Sequence, residues 1–137
     1  MRHWLFKTEP STYSYARLER ERKTNWNGIR NFQARNFLRE ISKGDLALIY
    51  HSGDDKMVVG VAKIISEPYA EVDKNAPGDW VQVDVSPVET LPMPVPLADI
   101  KKTPAFAELL LVRHSRLSVM PVPALLFQKL RKMGGAK

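Results

Sequence analysis

The sequence predicts an α+β fold built on a strongly curved, mostly antiparallel sheet, and a small barrel is the favoured architecture. Four or more segments have the composition or alternation of strands, and short helical segments lie between them. Strands and helices do not alternate regularly, which disfavours a parallel doubly wound sheet. A chain of 137 residues has enough surface to bury for one core, so residues 1–137 are expected to form a single domain.

The N-terminal residues predict a strand followed by a helix. Residues 3–8, HWLFKT, are rich in aromatic and apolar side chains, and Pro10 closes the strand that they predict. Residues 14–23, SYARLERERK, have the composition of a polar helix, and Ser14 is a suitable N-terminal cap. The chain is therefore expected to begin with one strand and one polar helix.

A second helix is indicated by four apolar residues at helical spacing, which form one stripe: Ala34, Phe37, Leu38 and Ile41. Gly44 follows the stripe and is suited to end the helix. At about 100° per residue, Phe32 lies roughly opposite this stripe. The core face of the helix therefore does not explain the Phe32 ring.

Three strands follow, at residues 45–51 (DLALIYH), 57–66 (MVVGVAKIIS) and 80–86 (WVQVDVS). The first is entered through the turn KGD. In the second, Gly60 indicates a bulge or a close approach of another group to the backbone. The third alternates cleanly, which places its valines on one face.

The last third of the chain is expected to contain few long elements. Seven of the ten prolines lie within residues 68–104, and those of LPMPVP, residues 91–96, exclude a central strand there. Residues 97–111 predict two short helical turns broken at Pro104. Residues 116–122, RLSVMPV, predict a closing strand, and a terminal helix starts from Pro123.

Composition excludes several classes of protein. The chain has no cysteine, so it has neither a disulfide framework nor a thiolate metal site. The apolar run at its N-terminus is interrupted by Lys7 and Glu9 and is too short for a signal peptide or a membrane span. A cytoplasmic protein that does not interact with membranes is expected.

Charge is distributed unevenly along the chain. Residues 1–50 have a net charge of +5, residues 51–100 of −6 and residues 101–137 of +7, which gives the total of +6. Because the two basic ends can meet in the folded chain, one face of the protein is expected to be basic. A basic face is typical of nucleic-acid binding, and a solubilising excess of charge is an equally weighted alternative.

The common catalytic and metal-binding patterns are weak or missing. The three histidines, His3, His51 and His114, are far apart and have no cysteine to help bind a metal. No Gly-rich phosphate loop is present. His51, Ser52 and Asp54 stand close together, but adjacent strand residues point to opposite faces, so a turn is favoured over a catalytic triad. The sequence thus predicts no enzyme activity, metal or cofactor.

Aromatic, basic and amide side chains are concentrated near the N-terminus. Eight of the twelve aromatic residues lie in the first 50, among Lys7, Arg30, Arg35 and Arg39. Flat rings can stack on a base while cations bind phosphates, and Asn and Gln can pair with a base edge. Trp26 precedes an Asn-Gly turn, where a large ring is not needed to bury a helix. This region is therefore the candidate binding site.

Five motifs resemble, in order and spacing, the EVE domain, a member of the PUA-like fold group that includes the thymocyte nuclear protein family. They are HWLFKTEP, WNGIRNFQARN, KGDLALIYHS, VVGVAKI and RLSV. The resemblance covers nearly the whole chain. It implies a PUA-like curved, β-barrel-like sheet flanked by short helices, with a pocket on one side. It further implies a non-catalytic module that binds DNA through a modified base, typically methylated or hydroxymethylated cytosine.

Carried over residue by residue, the resemblance implies a base-binding site. Trp26 would form a stacking wall, and Asn31 and Thr8 would bond to the base edge. Eight further residues would line or brace the pocket: Lys7, Glu9, Arg30, Tyr50, His51, Ser52, Arg116 and Ser118.

The sequence departs from the family's common pattern at three positions. Asn27 replaces a common Asp, Ile29 a common Val, and Phe32 a common Tyr.

Two other functions are weighed beside the modified-DNA reader. One is the binding of RNA, as in other PUA-like domains, because nothing in the sequence separates recognition of ribose from that of deoxyribose. The other is a nucleoside-binding protein or an enzyme that uses the same pocket.

Overall fold

The computed structural model of the chain describes residues 1–71 and 79–136. Within these residues the strands are β1 (His3–Thr8), β2 (Thr24–Trp26), β3 (Leu46–His51), β4 (Met57–Ile64), β5 (Tyr69–Ala70), β6 (Val81–Pro96) and β7 (Val119–Pro121). The α-helices are α1 (Tyr15–Glu21), α2 (Phe32–Arg39), α3 (Leu97–Lys102), α4 (Leu110–Arg113) and α5 (Ala124–Met133), and a 3-10 turn, Pro104–Phe106, precedes α4.

The described strands form one mixed sheet that curls into a half-barrel. Their order is β2-β6-β4-β3-β1-β7, and the short β5 also pairs with β6. β1 and β3 run parallel, whereas the other pairings are antiparallel. The α+β class and the curved, mostly antiparallel sheet predicted from the sequence are confirmed.

The centre of the sheet is buried on both faces, which is why β1, β3 and β4 are nearly continuous apolar runs. Trp4 of β1 faces α2, where its ring centroid lies 6.5 Å from that of Phe37. The neighbouring His3 faces α5, with 4.3 Å between its ring and that of Phe127. Successive strand residues point to opposite faces, so these two helices cover opposite sides of β1.

The predicted Ser14 cap and the special role of Gly60 are found in the structure, whereas α2 ends at Arg39 with Glu40 as its cap and not at Gly44. The Ser14 side chain accepts a hydrogen bond from the backbone N–H of Arg17 and so caps α1. A Cβ atom added to Gly60 would lie 2.6 Å from the Tyr15 ring, and the register of β4 against β6 shifts beside this glycine. Gly60 therefore marks both a close approach and an irregularity, as the sequence indicated.

The prolines of residues 91–96 lie in a strand, because β6 continues through Pro96, but this part of β6 is not central in the sheet. Within the described residues, β2 pairs only with the first part of β6, so the later part has a free edge on that side. Between Thr90 and Val95, β6 also contains extra residues relative to β4, and they include Pro92 and Pro94. Proline is tolerated at such edges and bulges because no ladder hydrogen bond needs its missing N–H.

Two other expectations for the second half of the chain need correction or restriction. Much of the proline-rich region at residues 68–104, expected as loop, is the long strand β6, while residues 72–78 of that region lie outside the described residues. The chain is broken at Pro104 as predicted, but three short helical pieces replace the two expected. None of the helices in the described ranges is long and apolar enough to span a membrane.

Candidate functional site

A cleft of about 660 Å³ opens between the end of β1, helix α1 and the turn that follows β2. Its volume is within the range of pockets that hold small ligands. Six of the eleven predicted site residues line it: Lys7, Thr8, Glu9, Trp26, Arg30 and Ser118.

The floor of the cleft is aromatic. Trp26 pairs with Val83 at the sheet edge, and its ring packs against Phe6 at 5.4 Å and edge-on against Tyr13 at 6.0 Å. The Trp26 side chain is thereby buried, with 7% of its surface exposed. Packing fixes this ring more firmly than its position in a turn indicated, and its remaining exposed part faces the cleft.

Polar side chains on one wall of the cleft are linked by hydrogen bonds. The Thr8 hydroxyl donates to the Tyr13 carbonyl at 2.7 Å, and the Tyr13 hydroxyl donates to a Glu21 oxygen at 2.7 Å. Burial, followed by the Glu21 carboxylate, raises the pKa of Tyr13 above its usual value. The hydrogen bonds from Tyr13 and Arg17 lower the pKa of Glu21. Glu21 is therefore an acceptor rather than a proton donor at neutral pH.

Lys7 separates this cleft from a second one. Its Nζ donates to the Ser115 carbonyl at 2.9 Å and lies 5.7 Å from the Tyr50 ring centroid. Burial lowers the pKa of Lys7 from its ordinary value, because an ammonium group loses hydration there. Its backbone N–H donates to the carbonyl of Ser118, which brings the Ser118 side chain to the cleft.

The turn on the opposite wall is organised by Glu71, which follows β5. The Glu71 carboxylate accepts hydrogen bonds from the backbone N–H of Gly28 at 3.3 Å and from the Arg30 guanidinium at 2.8 Å. Gly28 has a φ of +80°, a conformation that favours glycine. Sequence reasoning missed Glu71, since it lies 41 residues beyond Arg30 and belongs to no recognisable motif.

Glu9 braces the rim of the cleft. Its carboxylate accepts hydrogen bonds from the backbone N–H and the hydroxyl of Ser11 at 3.2 and 3.1 Å. It also packs directly over Gly53, whose φ is +74°. Lys7, two residues away in the sequence, bonds to the Ser115 carbonyl rather than to Glu9.

Asn31 lies outside the cleft lining and caps α2. Its Oδ1 accepts a hydrogen bond from the backbone N–H of Ala34 at 2.9 Å. This is a usual position for Asn, which satisfies a free N–H at a helix start. The spacing of residues in this stretch of sequence does not distinguish an Asn that caps a helix from an Asn that binds a base edge.

Tyr50, His51 and Ser52 belong to the other side of Lys7. Tyr50 and Ser52 line the second cleft, which also measures about 660 Å³ and is bounded by α3 and α4. His51 is 9% exposed, and its Nε2 accepts a hydrogen bond from the Tyr15 backbone N–H at 3.1 Å. Nδ1 therefore carries the proton and donates to Asp55 Oδ2 at 3.3 Å. His51 therefore connects β3 to the start of α1 and does not line the first cleft.

Arg116 lines a polar groove that shares Ser115 with the second cleft. The groove is lined by Asn31, Gln33, Arg113, His114, Ser115, Arg116 and Leu117. The structure therefore brings the two predicted residues of the RLSV motif to different places, because Ser118 faces the first cleft and Arg116 does not.

The chemistry available in the first cleft is that of binding. An aromatic floor accommodates a flat ring, hydroxyl and backbone groups can pair with its edges, and Lys7 and Arg30 add positive charge. The carboxylates of Glu9 and Glu21 already accept hydrogen bonds. No group of three or more potential metal-binding side chains occurs in the two ranges that the structure describes.

Comparison with known proteins identifies relatives over most of the chain. The family model of the EVE domain matches residues 2–133. Human thymocyte nuclear protein 1 is 35% identical over an alignment of 124 residues that covers 72% of this chain and 55% of the relative. The chain thus spans about half the length of the curated relatives it matches.

Two solved structures show how closely the fold is shared. A protein from Rhodopseudomonas palustris, solved by NMR, superposes with a TM-score of 0.91 and 38% identity, over 98% of this chain and 94% of that one. The crystal structure of human THYN1 protein in complex with 5-methylcytosine-containing DNA gives a TM-score of 0.89 and 28% identity, over 100% and 99% of the two chains. The resemblance stated from the five motifs is confirmed.

Proposed function

The chain belongs to the EVE domain family, and from this premise we propose that it is a non-catalytic module that binds DNA through a modified cytosine, methylated or hydroxymethylated. The observation that supports the proposal most directly is the cleft floored by Trp26 and flanked by Lys7 and Arg30. The similar human protein in complex with 5-methylcytosine-containing DNA supports the choice of ligand.

In this proposal the cleft holds one extruded base. A base that leaves the duplex loses stacking and pairing worth a few kcal/mol, and a pocket must offset this loss. Stacking on an aromatic side chain contributes roughly 1–3 kcal/mol per base. In the proposed complex the exposed part of Trp26 meets the base, and Phe6 and Tyr13 hold the indole in place.

The polar groups of the cleft provide recognition of the base edge. The Thr8 hydroxyl uses its proton on the Tyr13 carbonyl, so its oxygen is left to accept a hydrogen bond from the exocyclic amine of cytosine. Ser118, which directly precedes β7, lines the same cleft. In this proposal Lys7 and Arg30 lie at the rim, where phosphates of the extruded nucleotide pass, and Glu9 braces the rim.

Five of the residues expected in the site do not line the first cleft, and two of them have structural tasks in the proposal. Asn31 fixes the start of α2 and hence the direction of the turn before it. His51 joins β3 to the start of α1. The remaining three, Tyr50, Ser52 and Arg116, lie beside the cleft rather than in it.

A binding comparison with matched duplexes tests the proposal. Three duplexes that differ only in cytosine, 5-methylcytosine or 5-hydroxymethylcytosine are titrated against the protein, with fluorescence anisotropy as the readout. Burial of one methyl group contributes about 0.8 kcal/mol, so the methylated duplex is expected to bind about fourfold more tightly than the unmodified one. Equal affinity for all three duplexes, or tighter binding of RNA of the same sequence, would contradict the proposal.

The pair Thr8→Val and Thr103→Val separates recognition from stability. Each threonine hydroxyl donates to a backbone carbonyl, at 2.7 Å for Thr8 and 2.9 Å for Thr103, but only Thr8 lines the cleft. Both variants are expected to lose a similar, small amount of stability. Only Thr8→Val is expected to weaken binding of the methylated duplex, by about fivefold, the value of one hydrogen bond.

A further inference from the structure

Phe32 forms an exposed aromatic surface beside the cleft. It is the first residue of α2, and 60% of its surface is accessible. Its ring stacks on that of Trp80, with 5.1 Å between centroids and 26° between planes. Trp80 itself is 8% exposed, so the accessible part of this ring pair belongs to Phe32. The pair explains how Phe32 is held off the core stripe of α2, but not why its ring remains open to solvent.

Guanidinium groups surround the two rings. The Arg35 guanidinium lies 4.9 Å from the Phe32 centroid and 5.5 Å from the Trp80 centroid, and that of Arg30 lies 5.2 Å from the Trp80 centroid. Arg39, one turn further along α2, donates to the carbonyl of Asp79 at 3.0 Å. We call Phe32, Trp80, Arg35 and Arg39 the Phe32 platform. A flat ring with cations around it matches a nucleotide, which pairs a flat base with an anionic phosphate.

The Phe32 platform is continuous with the cleft. Arg30 lines the cleft, and its guanidinium also lies against the Trp80 ring. A DNA strand that places one nucleotide over Trp26 therefore meets the Phe32 platform on the other side of Arg30. In the sequence, five residues separate Phe32 from Trp26, and they include the turn at Gly28, Arg30 and the capping residue Asn31.

We propose that the Phe32 platform stacks an unpaired base adjacent to the cytosine held in the cleft, with Arg35 and Arg39 beside the phosphate that joins the two nucleotides. The inference rests on the proposed function, since the cytosine in the cleft sets the position of its neighbour. It adds a second stacking contact that tolerates any base, because every base has a flat face.

Abasic substitution in single-stranded DNA tests the platform. The probes are oligonucleotides with a central 5-methylcytosine, either complete or with an abasic residue at one flanking position. With the wild-type protein, the abasic residue on one particular side is expected to weaken binding about fivefold to tenfold, the lower part of the range for one stacked base. The abasic residue on the other side is expected to have little effect.

The variant Phe32→Ala is expected to bind the complete oligonucleotide as weakly as the wild type binds the sensitive abasic probe, and to lose nothing further with that probe. Phe32→Tyr retains a ring and should restore the wild-type response. Leu125→Ala is the matched control, since Leu125 is a large apolar residue that is 85% exposed on α5.

The outcomes distinguish the platform from the proposed function. If Phe32→Ala matches the wild type with every probe while 5-methylcytosine is still preferred over cytosine, the platform is overturned and the proposed function stands. If the wild type shows no preference for 5-methylcytosine, the proposed function fails and the platform inference fails with it.

Discussion

Asp45 is a buried carboxylate that joins the N-terminus, β1 and the end of α2. Its two oxygens accept hydrogen bonds from the backbone N–H groups of Arg2 and Ser42, both at 3.0 Å, and from the Trp4 indole at 2.9 Å. Burial acts to raise the pKa of Asp45, but these hydrogen bonds outweigh it, and the pKa is lower than the ordinary value. The carboxylate is therefore more stable in the folded chain than in the unfolded chain.

The lowered pKa of Asp45 predicts a loss of stability in acid. The ionised Asp45 carboxylate makes its full contribution to the free energy of unfolding above the unfolded pKa of about 3.9. This contribution is lost as the pH falls through the lower folded pKa. Asp45→Asn keeps one accepting oxygen, so it is expected to cost about 2 kcal/mol at pH 7. Urea unfolding at pH 7 and pH 3 checks this, and the wild type should approach the variant at pH 3. Asp54→Asn, at an exposed position, is the control. An equal effect of both substitutions would contradict the stabilising role of the Asp45 carboxylate.

Glu71 offers a second test at the residue scale. Its carboxylate is only 11% exposed and holds Gly28 and Arg30, whereas Glu108, at 83%, forms a comparable ion pair with Arg113 on the surface. Glu71→Gln and Glu108→Gln change the net charge equally. We expect only Glu71→Gln to lower the melting temperature by several degrees and to reduce the preference for 5-methylcytosine. Melting curves and anisotropy titrations of both variants compare them; equal behaviour would show that Glu71 does not organise the turn.

At the scale of elements, the close contact of α1 with β4 depends on one missing side chain. The Tyr15 ring lies where a Cβ of residue 60 would project, and the Tyr15 hydroxyl lies 2.7 and 2.8 Å from the carbonyl oxygens of Val61 and Glu89. Burial raises the pKa of Tyr15 to about 12, so the hydroxyl keeps its proton throughout the physiological range. Tyr15 thus ties α1 to β4 and β6 simultaneously.

Gly60→Ala is expected to destabilise the protein by about 1–3 kcal/mol, because the new methyl group overlaps the Tyr15 ring. In the background Tyr15→Leu, where the flat ring is gone, the same substitution should cost much less. Chemical denaturation of the two single variants and the double variant gives the coupling energy. Additive effects would mean that the overlap is relieved elsewhere in the fold.

The elements that the sequence predicted well are those whose pattern is local. The apolar runs of β1, β3 and β4, the stripe of α2 and the Ser14 cap all depend on residues within a few positions of one another. β2 and β5 were missed because they have three and two residues and are fixed by pairing with β6. Single-sequence patterns do not contain that long-range pairing.

The site was predicted in part for the same reason. Lys7, Thr8 and Trp26 could be found because they stand in distinctive motifs, and the fold brings them together. The burial of Trp26 by Phe6 and Tyr13 could not be found, because it depends on the curvature of the sheet. The same applies to His51, whose partner is the backbone N–H of Tyr15, 36 residues away.

At the scale of the whole molecule, the net charge of +6 and the cations around the cleft predict salt-dependent binding of DNA. If Lys7, Arg30, Arg35 and Arg39 each neutralise one phosphate, the logarithm of the association constant should fall with the logarithm of salt concentration with a slope of about −3 to −4. Titrations at several salt concentrations measure the slope, which should be the same for methylated and unmodified duplexes. A slope near zero would exclude phosphate contacts by these residues.

The parallel pairing of β1 with β3 has a consequence for how specificity can be altered. Parallel neighbours cannot be joined by a tight turn, so the chain must leave the sheet and return. Here the excursion, residues 9–45, contains α1, β2, α2, the turn at Gly28 and Phe32. Most of the proposed recognition surface is thus one continuous segment of the chain, anchored at both ends in the buried centre of the sheet. Exchange of residues 9–45 between relatives, with the buried residues of the segment retained, is therefore a direct way to transfer ligand preference.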